Sequence, residues 1–232
     1  YFNIDQELLK TAKNLAREIF AQEESNLTQD ELDTQLQNIL KINSLEEKSD
    51  FIKIARLIIA GANPNLKIIS ERSISSLLIE IIVGTEFANE HILNLGLINL
   101  LIDYGADINF KDSYGKTALH YAYEHINYYD NPDDSIIHKL IDKGANINIK
   151  TSNEQDILYL AITNINTSVD LVKKIIDKGA DLSKIDYYIK EINETIISLA
   201  ENSDDGEDIE YRGDVISNYL EKLKLLIDYD LG

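Results

Sequence analysis

The stretch Leu100–Ala122 reads LLIDYGADINFKDSYGKTALHYA, and its first half returns along the chain. Leu140–Asn148 is LIDKGANIN, Ile175–Ser183 is IIDKGADLS, Leu57–Asn65 is LIIAGANPN, and Leu225–Leu231 is a broken copy, LLIDYDL. An apolar helical turn closed by Gly-Ala-Asp/Asn is therefore the unit of construction. A Gly directly after the last apolar turn takes the left-handed conformation that ends a helix, which a Cβ disfavours. Units that bury a face only against their neighbours form a stack, and a stack offers a long surface rather than one cleft.

Gly61, Gly105, Gly144 and Gly179 lie 44, 39 and 35 residues apart, with Asp230 in the equivalent place 51 further on. The uneven period locates insertions at Gly84–Glu90, Tyr128–Asp134 and Asn202–Asp214, each between the two helices of a unit, so that they line one rim. A few more residues enter near Asp186–Ile189, read as part of the loop after Gly179. Asn131, Pro132, Asp133 and Asp134 read as an N-cap, a Pro at the first helical position and acids on the positive helix end. Upstream, apolar residues from Ile4 to Phe20 at helical spacing predict a long amphipathic opening helix over Asn3–Gln22. Thr28 with Glu31, and Ser44 with Glu47, predict capping boxes for two further helices ending at Gly61.

With the order helix, turn, helix, Gly-Ala-Asp/Asn and loop in place, the chain resembles the ankyrin-repeat family. Asp112, Gly115, Thr117, Leu119, His120 and Ala122 stand where that family has D-x-x-G-x-T-P-L-H-x-A, with Ala118 in place of Pro. In the next unit Asp156, Leu158, Tyr159 and Ala161 take the Thr, Leu, His and Ala places, and Glu154 replaces the Gly. The resemblance implies an all-α solenoid of helix-turn-helix units with β-turn loops and an N-terminal capping helix. Residues 1–27 form the cap, and residues 28–232 form about five repeats, approximately 28–66, 67–110, 111–149, 150–183 and 184–232. Gly105, Gly115, Thr117, Leu119, His120, Ala122, Gly144 and Gly179 are then structural. The Thr117 hydroxyl is expected to cap its helix by accepting from an early N–H, with His120 on the same side.

Composition bounds the function. A formal charge of −19 disfavours nucleic acid as a partner, because phosphate binding needs clustered Lys and Arg, and a basic protein surface is the better match. Every apolar run is interrupted too soon for a membrane span. With no Cys, disulfides and thiolate metal sites are excluded. The chain begins at Tyr1 without Met or a leader, and it reads as an excised or processed piece, monomeric. Its Ile, Asn and Lys bias together with such repeats resembles bacterial effectors, which implies a cytoplasmic setting or delivery into a host cell.

No catalytic constellation emerges. Gly115-Lys116-Thr117 resembles the tail of a phosphate loop, but Phe110 stands where that loop needs Gly. His120 and His125 are five apart and share no helix face, and His138 reads as an outward position; no metal or cofactor is expected. The acidic run Glu201–Asp214 fails as a calcium loop, since Arg212 falls where the bidentate Glu must be, and it reads as a solvated loop. What remains is a set of aromatics the helical core does not require: Phe110, Tyr114, Tyr123, Tyr128, Tyr129, Tyr187 and Tyr188. Alignment with the family's usual contact places adds Ser113, Lys116, Glu124, Asn153, Gln155 and Thr163 as candidate partner-binding residues. The expected function is a non-catalytic module that docks a protein partner through loops, first helices and an acidic rim. The alternative is the targeting part of a larger enzyme or secreted effector.

Overall fold

The computed structural model describes residues 27–42, 48–69, 74–83, 91–126, 134–201 and 209–230. The predicted opening helix, the Ser44–Glu47 capping box, Tyr128, Tyr129 and the Asn131–Asp133 segment lie outside them, as does the side chain of His125. The chain divides into two compact units, Tyr1–Ser113 and Tyr114–Gly232.

In the first unit, α1 (Gln29–Ile42) packs on α2 (Lys48–Ala60), α2 packs on α4 (His91–Asp103), and α4 packs on α3 (Leu77–Val83). The Thr28 capping box forms as expected: the Thr28 N–H donates to Glu31 Oε2 at 2.8 Å and the Glu31 N–H to Thr28 Oγ1 at 3.3 Å. An all-α chain is not what the structure contains. Between α2 and α3, β1 (Lys67–Ile69) pairs antiparallel with β2 (Ile74–Ser76), with Ile68 opposite Ser75. Isoleucines at positions 68, 69 and 74 favour extended backbone, and Ser113 secures the outer strand by accepting from Ile74 N–H at 2.8 Å. Ile54, Ile58, Leu77, Leu78, Ile81, Ile82, Ile98 and Leu101 form this unit's buried stripes.

In the second unit, α5 (Ala118–Ile126) pairs with α6 (Ser135–Asp142) and α7 (Ile157–Thr163) with α8 (Val169–Asp177). The first helices also meet in sequence, α5 against α7 and α7 against α9 (Ile185–Glu201), while α10 (Ile209–Asp230) packs on α8 and α9. Helix pairs burying one face against the next pair reproduce the periodicity of the sequence. Each helix-ending Gly closes alike. Gly144 N–H donates to Ile141 O at 3.1 Å and Ala145 N–H to Leu140 O at 2.9 Å, with Gly144 at φ +92°; Gly61, Gly105 and Gly179 repeat the pattern.

Three boundaries differ from expectation. Tyr187 and Tyr188 sit in α9 rather than in a loop, because nothing from Ile185 to Glu201 breaks a helix and Ile185, Tyr188 and Ile192 give it a buried stripe. Helix α10 begins at Ile209, so the second part of the acidic run is helical, not loop, and the broken repeat at Leu225 continues that helix to Asp230 with no Gly to stop it. Helix α6 starts at Ser135 with Asp134 in the capping position, later than the Asn131-Pro132 start, and Asp134 makes no side-chain cap bond. Asp134 instead reaches His138 Nε2 at 3.3 Å, and that imidazole is half-exposed rather than free of the fold.

Candidate partner-binding surface

The loop that follows the first full repeat is held from two sides. Ser152 donates to the Tyr114 carbonyl through its N–H at 3.0 Å and through its hydroxyl at 2.7 Å. Thr151 closes its own turn, with its N–H on Gln155 O at 2.9 Å and its hydroxyl accepting from Asn153 and Gln155 N–H. The backbone of Tyr114 is thus fixed, while its side chain is 54% exposed. Gly115 has φ +73°, and a Cβ there would stand 3.2 Å from Ser152 N. One repeat later the same place is Glu154 at φ +60°, the one non-glycine residue with positive φ among the described residues. Left-handed backbone at a Cβ-bearing residue costs about 1–2 kcal/mol.

Beneath the loops, His120 is fully buried, and its Nδ1 takes the Thr117 N–H at 3.1 Å and lies 2.9 Å from the Thr117 hydroxyl. The cap is therefore made by the imidazole rather than by the Thr117 hydroxyl on an early N–H, because the ring reaches back over the first turn. Burial holds the His120 pKa below its ordinary value, against a partial counter-effect from the Gln155 and Ile149 backbone. Asp156 caps α7 by accepting from Tyr159 N–H at 2.8 Å, and its other oxygen accepts from the Tyr188 hydroxyl at 2.9 Å. Burial first, and that hydrogen bond second, push the Tyr188 pKa up.

The expected contact residues separate by exposure. Tyr123 and Tyr188 were expected at the surface and are 1% and 2% exposed. Tyr123 falls four residues after Leu119, and Tyr188 three after Ile185 and four before Ile192, so both occupy the buried face of their helices. The Tyr123 hydroxyl is buried without a hydrogen-bond partner, and burial raises its pKa. Tyr114 and Tyr187 are exposed, as is Asn153, while Gln155 and Thr163 are half-buried. Lys116 and Glu124 pair with each other at 2.5 Å, and the Lys116 ammonium lies 5.1 Å from the Tyr121 ring centroid. Phe110 and Ser113 belong to the first unit, where Phe110 is half-buried and Ser113 is tied to β2.

Within the second unit the remaining candidates converge on two depressions. One, of about 170 Å³, is lined by Tyr123, Glu124 and Thr163 with Leu160, Asn164 and Ile165. The other, of about 250 Å³, has the loop residues Asn153, Glu154 and Gln155 on one side and Tyr159, Tyr187 and Tyr188 on the other, with Lys184 at its rim. Nothing in the sequence marks Tyr159 or Lys184 as site residues, whereas Glu154 in place of Gly is the local signal of this second depression.

Among the described residues no helix is long and apolar enough to cross a membrane. No curated protein matches the chain. Residues 114–152 match the family model of the ankyrin repeat, and the two ends of the match are Tyr114 and Ser152, the residues joined across the loop. Ankyrin repeats are generally protein–protein interaction modules and are typically non-catalytic. Residues 114–152 of the chain accordingly carry an ankyrin repeat.

Proposed function

We propose that the chain is a non-catalytic binding module, a solenoid of about five ankyrin repeats that docks a protein with a basic surface through its loops and first helices. The repeats run approximately over 28–66, 67–110, 111–149, 150–183 and 184–232, after a cap at 1–27. The observation that carries this reading is Tyr114: its main chain is locked by two hydrogen bonds from Ser152 while its ring is offered to solvent. A large ring whose backbone is already fixed loses little entropy on binding, which is the property of an anchor. Tyr187 is a second exposed ring on the same unit, and the charge of −19 steers basic surfaces toward it.

The test is affinity capture with the wild-type chain and the Tyr114→Ala/Tyr187→Ala double variant, at low and high salt. Partners retained by the wild type, lost by the double variant and released by salt support the reading. Identical sets from both chains, insensitive to salt, overturn it. Tyr123 is unsuitable as a control because its removal would open the core.

A further inference from the structure

We infer that the depression between the 153–155 loop and the three tyrosines of the second unit receives the charged end of a single lysine or arginine side chain from the protein partner. The inference rests on the binding-module reading and names the chemistry of one of its subsites.

The rings set the character of the pocket. Tyr159 and Tyr188 have centroids 6.2 Å apart at 49°, and Tyr187 and Tyr188 5.9 Å apart at 63°, so the two outer rings are each inclined to Tyr188 rather than stacked flat on it. Tyr159 is half-buried and Tyr187 exposed, so these two rings line the depression where a ligand can reach them, and the electron-rich face of a tyrosine attracts a cation where a neutral group has no equivalent gain. Tyr188 is the buried member, and its hydroxyl donates to the Asp156 carboxylate, which increases electron density on the ring and holds it in place. Tyr187 bonds Glu191 in the same sense at the outer edge.

The second observation is the backbone at Glu154. Its counterpart one repeat earlier is Gly115, the residue this left-handed position favours. A glutamate held there adds an acidic residue to the lining of the pocket at the expense of local strain, and non-glycine residues in this conformation gather at binding sites. Two accessible tyrosine rings with an acidic residue on the lining form a receptor for a cation. The exposed Lys184 at the rim opposes a second positive charge and limits the affinity. A pocket of about 250 Å³ suits the end of one side chain, and not a folded element.

The probes are Nα-acetyl-lysine methylamide, its arginine counterpart and the neutral Nα-acetyl-norleucine methylamide, titrated into the whole chain while the ring signals of Tyr159 and Tyr187 are followed by NMR. The expected result is a saturable shift with the two cations and none with norleucine. Tyr187→Phe, which keeps the π face, retains binding, and Tyr187→Leu weakens it about two- to fivefold. Glu154→Gly relieves strain and so remains folded, yet weakens binding, and Lys184→Ala tightens it. Norleucine binding as well as lysine, no saturable shift, or equal behaviour of the Phe and Leu variants overturns the inference. Such a failure is separate from failure of the binding-module reading, because capture with the Tyr114→Ala single variant, which leaves this pocket intact, tests that reading without these ring signals.

Discussion

Asn148 joins two repeats: its side-chain amide donates to Gly179 O at 2.9 Å, and its side-chain oxygen accepts from Asp181 N–H at 2.9 Å. In the first unit Asn65 does the same to Gly105 O at 2.8 Å and Asp107 N–H at 2.7 Å. Each loop is also tightened from within, as Asn146 Oδ1 accepts from Asn148 N–H and Asp181 Oδ1 from Ser183 N–H. The Gly-Ala-Asp/Asn-x-Asn string is thus a connector in which one carboxamide supplies both a donor and an acceptor. Asn148→Asp keeps the acceptor and loses the donor, and Asn148→Ala loses both. We expect the Ala variant to lower stability by about 1–2 kcal/mol, with Asp intermediate, measured by urea unfolding. Equal stability of all three would show that water replaces the connector without loss.

Gly115 and Glu154 occupy equivalent places with opposite consequences. At Gly115 a Cβ meets Ser152 N at 3.2 Å and the φ of +73° is strained for any L residue, so Gly115→Ala should cost about 1–2 kcal/mol. At Glu154 the strain is already present. Glu154→Gly should raise stability by up to about 1 kcal/mol, the relieved strain being partly offset by the greater freedom of glycine in the unfolded chain. The two thermal midpoints should move in opposite directions, and parallel shifts would contradict the equivalence.

The parts of this fold that were legible are those fixed by a few neighbouring residues. The Thr28–Glu31 box and the closures at Gly61, Gly105, Gly144 and Gly179 follow from spacing alone, because their partners lie within five residues. What failed was the assignment of rings to a face. Tyr123 and Tyr188 look like spare aromatics in the sequence, although Leu119–Tyr123 and Ile185–Tyr188–Ile192 have the spacing of a buried stripe. The β1–β2 pair leaves no mark in the sequence, because three-residue strands carry too little alternation to stand out from a loop. The second depression depends on Glu154 and Tyr187, more than thirty residues apart, and only the packing of α9 beside α7 brings them together.

His120 titrates against folding. Burial lowers its pKa below the ordinary value of 6.5, so the unfolded chain binds more protons as pH falls through that value. Its contribution is present above pH 6.5 and is lost toward acid until the folded state also protonates. His120→Ala leaves the Thr117 N–H without its acceptor and opens the core, and should cost about 2–4 kcal/mol at pH 7. In chemical denaturation between pH 5 and 7, the wild type should lose stability toward acid with a steeper slope than the variant.

Lys222 interrupts the stripe that buries α10. Val215, Tyr219, Lys222 and Leu226 follow one another at spacings of four, three and four, and all are buried, with Lys222 fully so. Its ammonium donates to Asn164 O at 2.7 Å and lies 5.3 Å from the Tyr219 ring centroid, while Tyr219 OH bonds Thr163 O at 2.9 Å. Together they fasten α10 to the carbonyl end of α7. Burial pushes the Lys222 pKa down from 10.5 to about 7. A depressed amine means that the unfolded chain binds more protons between those two values, so stability should rise as pH increases from 7 toward 10. Below pH 7 the buried charge exerts its full penalty, roughly 3–5 kcal/mol. Above pH 10 the buried phenols Tyr123 and Tyr188 reverse the slope, since the unfolded chain then releases their protons first. Lys222→Met keeps the length and apolar contact of the side chain, removes the charge and gives up the bond to Asn164. We expect it to be more stable than the wild type at pH 6, to converge with it near pH 9, and to lack the rise between. A variant less stable at pH 6 would mean that the Asn164 bond outweighs the cost of burying the ammonium.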